Sequence, residues 1–230
     1  MIKTFLSIIF FPFICAIFWE TFRVFINLIR EIKISLPFTA GFFAYAPFHK
    51  YMSNNSRVYV LSHELSHALA AFFQGVKVRK IAVRKRSGYV SLSRINTIII
   101  LSPYFLPFYV LVIGLLYILL SLFWKISPYE WLFVLLSGFF TSFHIANTME
   151  IIFTGPLQKD IQKAGGRVFS ISLITILNCF VILAILKIIY PDFVLLKPYF
   201  LQIKTTSVRI IRFAWNLVTY LYNTAKIYIG

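Results

Sequence analysis

Long apolar runs broken by short polar ones make up most of this chain, and the length of each run limits what it can be. A helix needs about 20 apolar residues to cross roughly 30 Å of hydrocarbon. The runs at 95–123, 130–153 and 168–190 are long enough, and 5–29 reads as a further span. The run 36–48, bounded by Pro37 and Pro47, is short for a span and fits a re-entrant piece. Asn54-Asn55-Ser56 offers capping side chains to a helix over 57–74, which Gly75 can end through its tolerance of positive φ. The period then changes. Ile81-Ala82-Val83 and Tyr89-Val90-Ser91-Leu92 are strand-like, with Arg84-Lys85-Arg86 and the turn pair Ser87-Gly88 between them, which predicts a β-hairpin at the membrane surface. Pro103 and Pro107 remove two backbone donors from one face of the next helix and predict a kink or an opening. These elements describe an all-α polytopic membrane protein of about four to six membrane segments with one small surface hairpin. A membrane-embedded domain covers 1–192, with its motif core at about 57–190, and a basic amphipathic tail covers 193–230.

Composition agrees with lipid as the solvent: 60% of residues are hydrophobic, 13% are charged, and the mean hydropathy is +0.82. The first segment begins like a signal peptide, with Lys3 and an apolar run, but no small-x-small site precedes Trp19, Glu20 and Arg23, so it reads as a retained helix. The net charge of +16, from 23 Lys and Arg against 7 acids, points to anionic lipid headgroups and not to nucleic acid. In the tail, Lys197, Lys204, Arg209, Arg212 and Lys226 lie among aromatic and aliphatic residues, the pattern of a helix lying along the interface. Seven basic residues between Lys77 and Arg94, and Lys159, Lys163 and Arg167 in the loop 154–167, place both regions on the cytoplasmic side, two helices apart. Cys15 and Cys179 sit in apolar runs without metal or disulfide spacing and read as small buried residues.

The chemistry lies in His63-Glu64-Leu65-Ser66-His67. On a helix, positions i and i+4 share a face one turn apart, so the two imidazoles can serve one tetrahedral metal ion. Glu64 then stands beside the metal, where it can act as general base and acid in amide hydrolysis. Charged and imidazole groups on a helix carrying Leu61, Leu65, Leu69 and Phe72 are costly in lipid and persist when paired, metal-bound or functional. A catalytic site takes a third protein ligand and leaves the fourth position open. Asp160, His144 and Glu150 are the candidates: Asp160 in the loop before the next helix, His144 in mid-span as a ligand or oxyanion donor, and Glu150 two turns on, able to snorkel outward.

The segment HELSHALAAFFQG, followed by a basic hairpin and a Pro-interrupted membrane helix, resembles the site-2 protease group of intramembrane zinc metallopeptidases. The likeness covers roughly 57–190. It implies that His63, His67 and Asp160 hold zinc, that Glu64 is the catalytic base, and that a sheet edge near the site receives substrate. Family members carry an Asn, prolines and Leu-Asp-Gly around the third ligand, where this chain has Gly155-Pro156-Leu157-Gln158-Lys159-Asp160-Ile161. The expectation is a zinc metalloendopeptidase that cleaves membrane-embedded or membrane-adjacent protein by metal-activated water, in the cytoplasmic membrane of a bacterium. Two rivals come from other classes: a non-catalytic membrane protein with a structural or sensing metal site, and a metal- or proton-handling transporter. The absence of paired inverted halves argues against the transporter.

Overall fold

Backbone polar groups have no water partners in hydrocarbon, so apolar runs of this length fold as helices, and the fold is 80% helical. The computed structural model describes residues 2–53, 56–84, 87–154 and 158–229, without the side chains of Ile2, Thr4 and 226–229. Of the residues invoked above, Asn54, Asn55, Lys85, Arg86, Gly155, Pro156, Leu157 and the Lys226 side chain lie outside that description.

The helices in chain order are α1 (Ile2–Ile9), α2 (Phe11–Arg30), α3 (Ile32–Ala44), α4 (His49–Met52), α5 (Arg57–Phe73), α6 (Thr97–Leu101), α7 (Phe108–Ser121), α8 (Glu130–Phe153), α9 (Lys159–Gly165), α10 (Arg167–Ile189) and α11 (Leu196–Ile229). Among the described residues, α2, α8 with its leading turn, and α10 are long and apolar enough to cross a membrane. The pair α6 and α7, bent by 82°, adds a fourth if it counts as one span. Length and apolarity thus give three spans, or four with the bent pair, against the four to six expected; α1 and α3, at 8 and 13 residues, are too short. The single helix expected over 5–29 is divided at Phe10, with Pro12 in the first turn of α2. The run 36–48 enters α3, which holds Pro37 internally.

α3 lies along α8 at close range because glycines face backbone. A Cβ on Gly41 would overlap the Leu135 carbonyl, and one on Gly138 would overlap the Phe38 carbonyl. Tyr45, Tyr59, Leu101, Tyr104, Phe143, Ile161 and Ile174 form a core that ties α5 and the bent pair to α8, α9 and α10. A second core, with Ala16, Leu28, Phe38, Leu186 and Tyr199, joins α2, α3, α10 and α11. The start of α11 packs on α2: the Glu20 carboxylate, 1% exposed, accepts hydrogen bonds from Thr206 at 2.6 Å and Arg23 at 3.0 Å. Beyond that contact α11 continues as an exposed helix with Phe213, Trp215 and Tyr222 on its surface.

Three features position the site. Ser56 caps α5 by accepting from the Tyr59 N–H at 3.1 Å, and Gly75 ends the helix at φ 64°. The hairpin pairs β1 (Val78–Val83) with β2 (Gly88–Leu92) in antiparallel register, Val83 opposite Gly88 and Val78 opposite Leu92. Gly88 is thus a ladder residue and not half of a turn; the chain reverses between Arg84 and Ser87, whose carbonyl accepts from the Arg84 N–H at 2.7 Å. Pro103 and Pro107 open the 82° bend between α6 and α7. The freed Tyr104 carbonyl accepts from Asn178 Nδ2 on α10 and Thr148 Oγ1 on α8.

Candidate metal centre

The one-turn spacing of His63 and His67 turns both rings to the same side of α5, with ring centroids 4.9 Å apart. The second residue of α9 faces them. Asp160 Oδ2 lies 3.5 Å from His63 Nε2 and 3.8 Å from His67 Nε2. These separations are long for hydrogen bonds. They suit three donors around one ion, since ligands at about 2.0–2.1 Å in tetrahedral array stand about 3.3 Å apart. Among the described residues, His63, His67 and Asp160 offer ligand atoms that all lie within 4.8 Å of one another. Two neutral nitrogens and a carboxylate oxygen form a donor set that zinc accepts.

Each ring is held from behind. His67 Nδ1 lies 2.7 Å from the Ile99 carbonyl, which can only accept, so Nδ1 carries the proton and Nε2 presents its lone pair to the site. Ile99 is the residue whose carbonyl the N–H of residue 103 would take in an unbroken helix. Proline at 103 has no N–H, so the helix break leaves room for His67 at that carbonyl. His63 Nδ1 lies 3.0 Å from Tyr59 Oη, one turn earlier on α5. Tyr104 Oη donates to Gln158 Oε1, and Gln158 also bonds the Tyr59 hydroxyl, so the residue just before α9 is tied to both tyrosines. α9 is fixed at its other end as well: Ile161 and Ala164 are buried, and Lys3 Nζ donates to the Ala164 carbonyl at 3.0 Å.

Burial and neighbouring charges act on these groups in opposite directions. Burial alone raises the Asp160 carboxyl, but the two imidazoles beside it outweigh that and hold it well below the ordinary carboxylate range. Burial pushes His63 down, toward the neutral ring a ligand needs, and outweighs the opposing pull of Asp160. Glu64 is 8% exposed, and burial raises its carboxyl, which makes it a better proton acceptor than a solvated glutamate. Asp160, with 31% of its side chain exposed against 11% and 14% for the histidines, marks the open side.

His144 and Glu150 lie outside this group. His144 Nε2 is 2.9 Å from Asn178 Oδ1, and Glu150 Oε2 is 3.6 Å from His49 Nε2. Tyr59, Tyr104, Gln158 and Gly88 escaped the sequence reading. Tyr59 stands four residues before His63 on an assigned helix, a signal that was available; Gln158 and Gly88 carried none. Comparison with protein-family models, curated proteins and solved structures gives no match.

Proposed function

We propose that this helical membrane protein is a zinc metalloendopeptidase of the site-2 protease kind, hydrolysing peptide bonds of a protein substrate in or beside the bilayer. One observation carries the reading: both histidines of the HExxH helix meet a carboxylate from a distant helix, with ligand atoms within 4.8 Å. His63, His67 and Asp160 would hold a zinc ion, which would supply Lewis acidity there, and Tyr59 and the Ile99 carbonyl orient the two rings. Glu64 accepts the proton that the attacking water loses as its oxygen bonds to the carbonyl carbon. When the C–N bond breaks, Glu64 gives that proton to the departing nitrogen, so the base ends as it began.

Of the two rivals, the closed structural site is the one the geometry addresses. It needs a fourth protein donor; among the described residues no His, Cys, Asp or Glu joins the three, and His144 has Nε2 directed at Asn178. An open fourth position favours catalysis. On this reading the site faces the cytoplasm, as the basic residues of the hairpin and of the Asp160 loop suggest, with the bent pair counted as a fourth span and the cytoplasmic membrane of a bacterium as the location. The test is Glu64→Gln in purified protein and in cells lacking the native copy. Zinc content should stay at the wild-type level while hydrolysis falls by about 10²- to 10⁴-fold. A fully active Glu64→Gln would remove the proposed reaction.

A further inference from the structure

Gly88 opens β2 opposite Val83, the pair that closes the ladder at the chain reversal. Its backbone does not call for glycine: the described positive-φ glycines are Gly75, Gly165 and Gly166. Space does. A Cβ built on Gly88 would stand 2.5 Å from Glu64 Cγ and 2.8 Å from Glu64 Oε1, with the Ala82 carbonyl at 3.0 Å. The bare Cα of this one residue is therefore the surface on which the hairpin meets the Glu64 side chain. We propose that Gly88 is a positioning residue for Glu64: its missing side chain lets the hairpin seat against the base and fix where the carboxylate stands relative to His63, His67 and Asp160. This rests on the proposed role of Glu64 as base.

The size of the effect follows from the contact. Ordinary packing begins near 3.4 Å, so a methyl group at position 88 must drive Glu64 Cγ, or the hairpin, back by about 0.9 Å. A displacement of about 1 Å in a catalytic group costs about 10²-fold in rate. None of the three atoms nearest to an added Cβ belongs to His63, His67 or Asp160, so metal binding should be spared.

The experiment measures kcat, KM and zinc per chain for wild type, Glu64→Gln and Gly88→Ala, alongside thermal melting of Gly88→Ala in the wild-type and Glu64→Ala backgrounds. The expected result is that Gly88→Ala keeps zinc, keeps KM within about twofold and loses about 10²-fold in kcat. The methyl group should lower the melting temperature beside Glu64 and lower it much less beside Ala at position 64, where of the three near atoms only the Ala82 carbonyl remains. If Gly88→Ala fails to fold beside Glu64 but folds in the Glu64→Ala background, the contact is supported. A kcat within threefold of wild type while Glu64→Gln is inactive overturns the proposal, as does equal destabilisation in both backgrounds. An active Glu64→Gln instead overturns the hydrolytic reading itself.

Discussion

Tyr59→Phe removes one oxygen from the site and leaves the ring in the core beside Tyr45, Tyr104 and Phe143. The lost atom is the one 3.0 Å from His63 Nδ1. For His63 Nε2 to bind a metal the ring must be neutral with its proton on Nδ1, so that proton loses its acceptor in a side chain only 11% exposed. A buried donor left unpaired costs about 1–3 kcal/mol. Partners that orient ligating histidines are worth about 10- to 100-fold in affinity, or about 1.4–2.7 kcal/mol, and the two routes give the same size. The zinc Kd of Tyr59→Phe, measured by competition with a chromophoric chelator in detergent or nanodiscs, should therefore rise about 10- to 100-fold. The metal-free variant should lose less stability than the zinc-bound one, because without metal the His63 ring can move its proton to Nε2. A Kd within twofold of wild type, or a stability loss equal with and without zinc, would refute the orienting role.

Two further expectations concern the surrounding structure. Gly41→Ala places a methyl group on the Leu135 carbonyl of α8, which cannot rotate away. It should cost about 1–3 kcal/mol and lower the melting temperature by about 2–4 °C per kcal/mol. Gly114→Ala, inside α7 with nothing within 4 Å of the added carbon, should not lower the melting temperature and should raise it slightly through helix propensity; equal losses would contradict the close α3–α8 packing. His144→Ala removes the partner of Asn178, which also holds the Tyr104 carbonyl at the helix break. It should slow turnover while zinc affinity stays within about tenfold of wild type, below the full range for partners in direct contact with a ligand; complete loss of the metal would make His144 a ligand.

Sequence legibility followed the range of the interactions involved. The helix 57–74, its Ser56 cap and its Gly75 end are set by neighbours in sequence and were readable to within a residue. The hairpin and the bend at Pro103 and Pro107 also follow from local rules, the loss of backbone donors above all. HExxH presents two ligands because a helix brings i and i+4 together, and no tertiary information is required. The third donor is different in kind. Whether Asp160, His144 or Glu150 approached the histidines depended on how α8 and α9 pack on α5, which no local pattern encodes. The same holds for Gly88, which read as a turn residue because Ser-Gly so often is one, while its neighbour Glu64 lies across the fold. The span expected over 5–29 is present as α2, its start set by Pro12 and not by the first apolar residue.

The most direct test of the His63–His67–Asp160 centre is zinc per chain in purified protein, after equilibration with zinc and removal of loosely held metal. Wild type should retain about one ion, and Asp160→Ala, measured in parallel at the same protein concentration, should retain almost none. A wild-type protein that holds no zinc, or an Asp160→Ala protein that holds as much as wild type, would contradict the assignment.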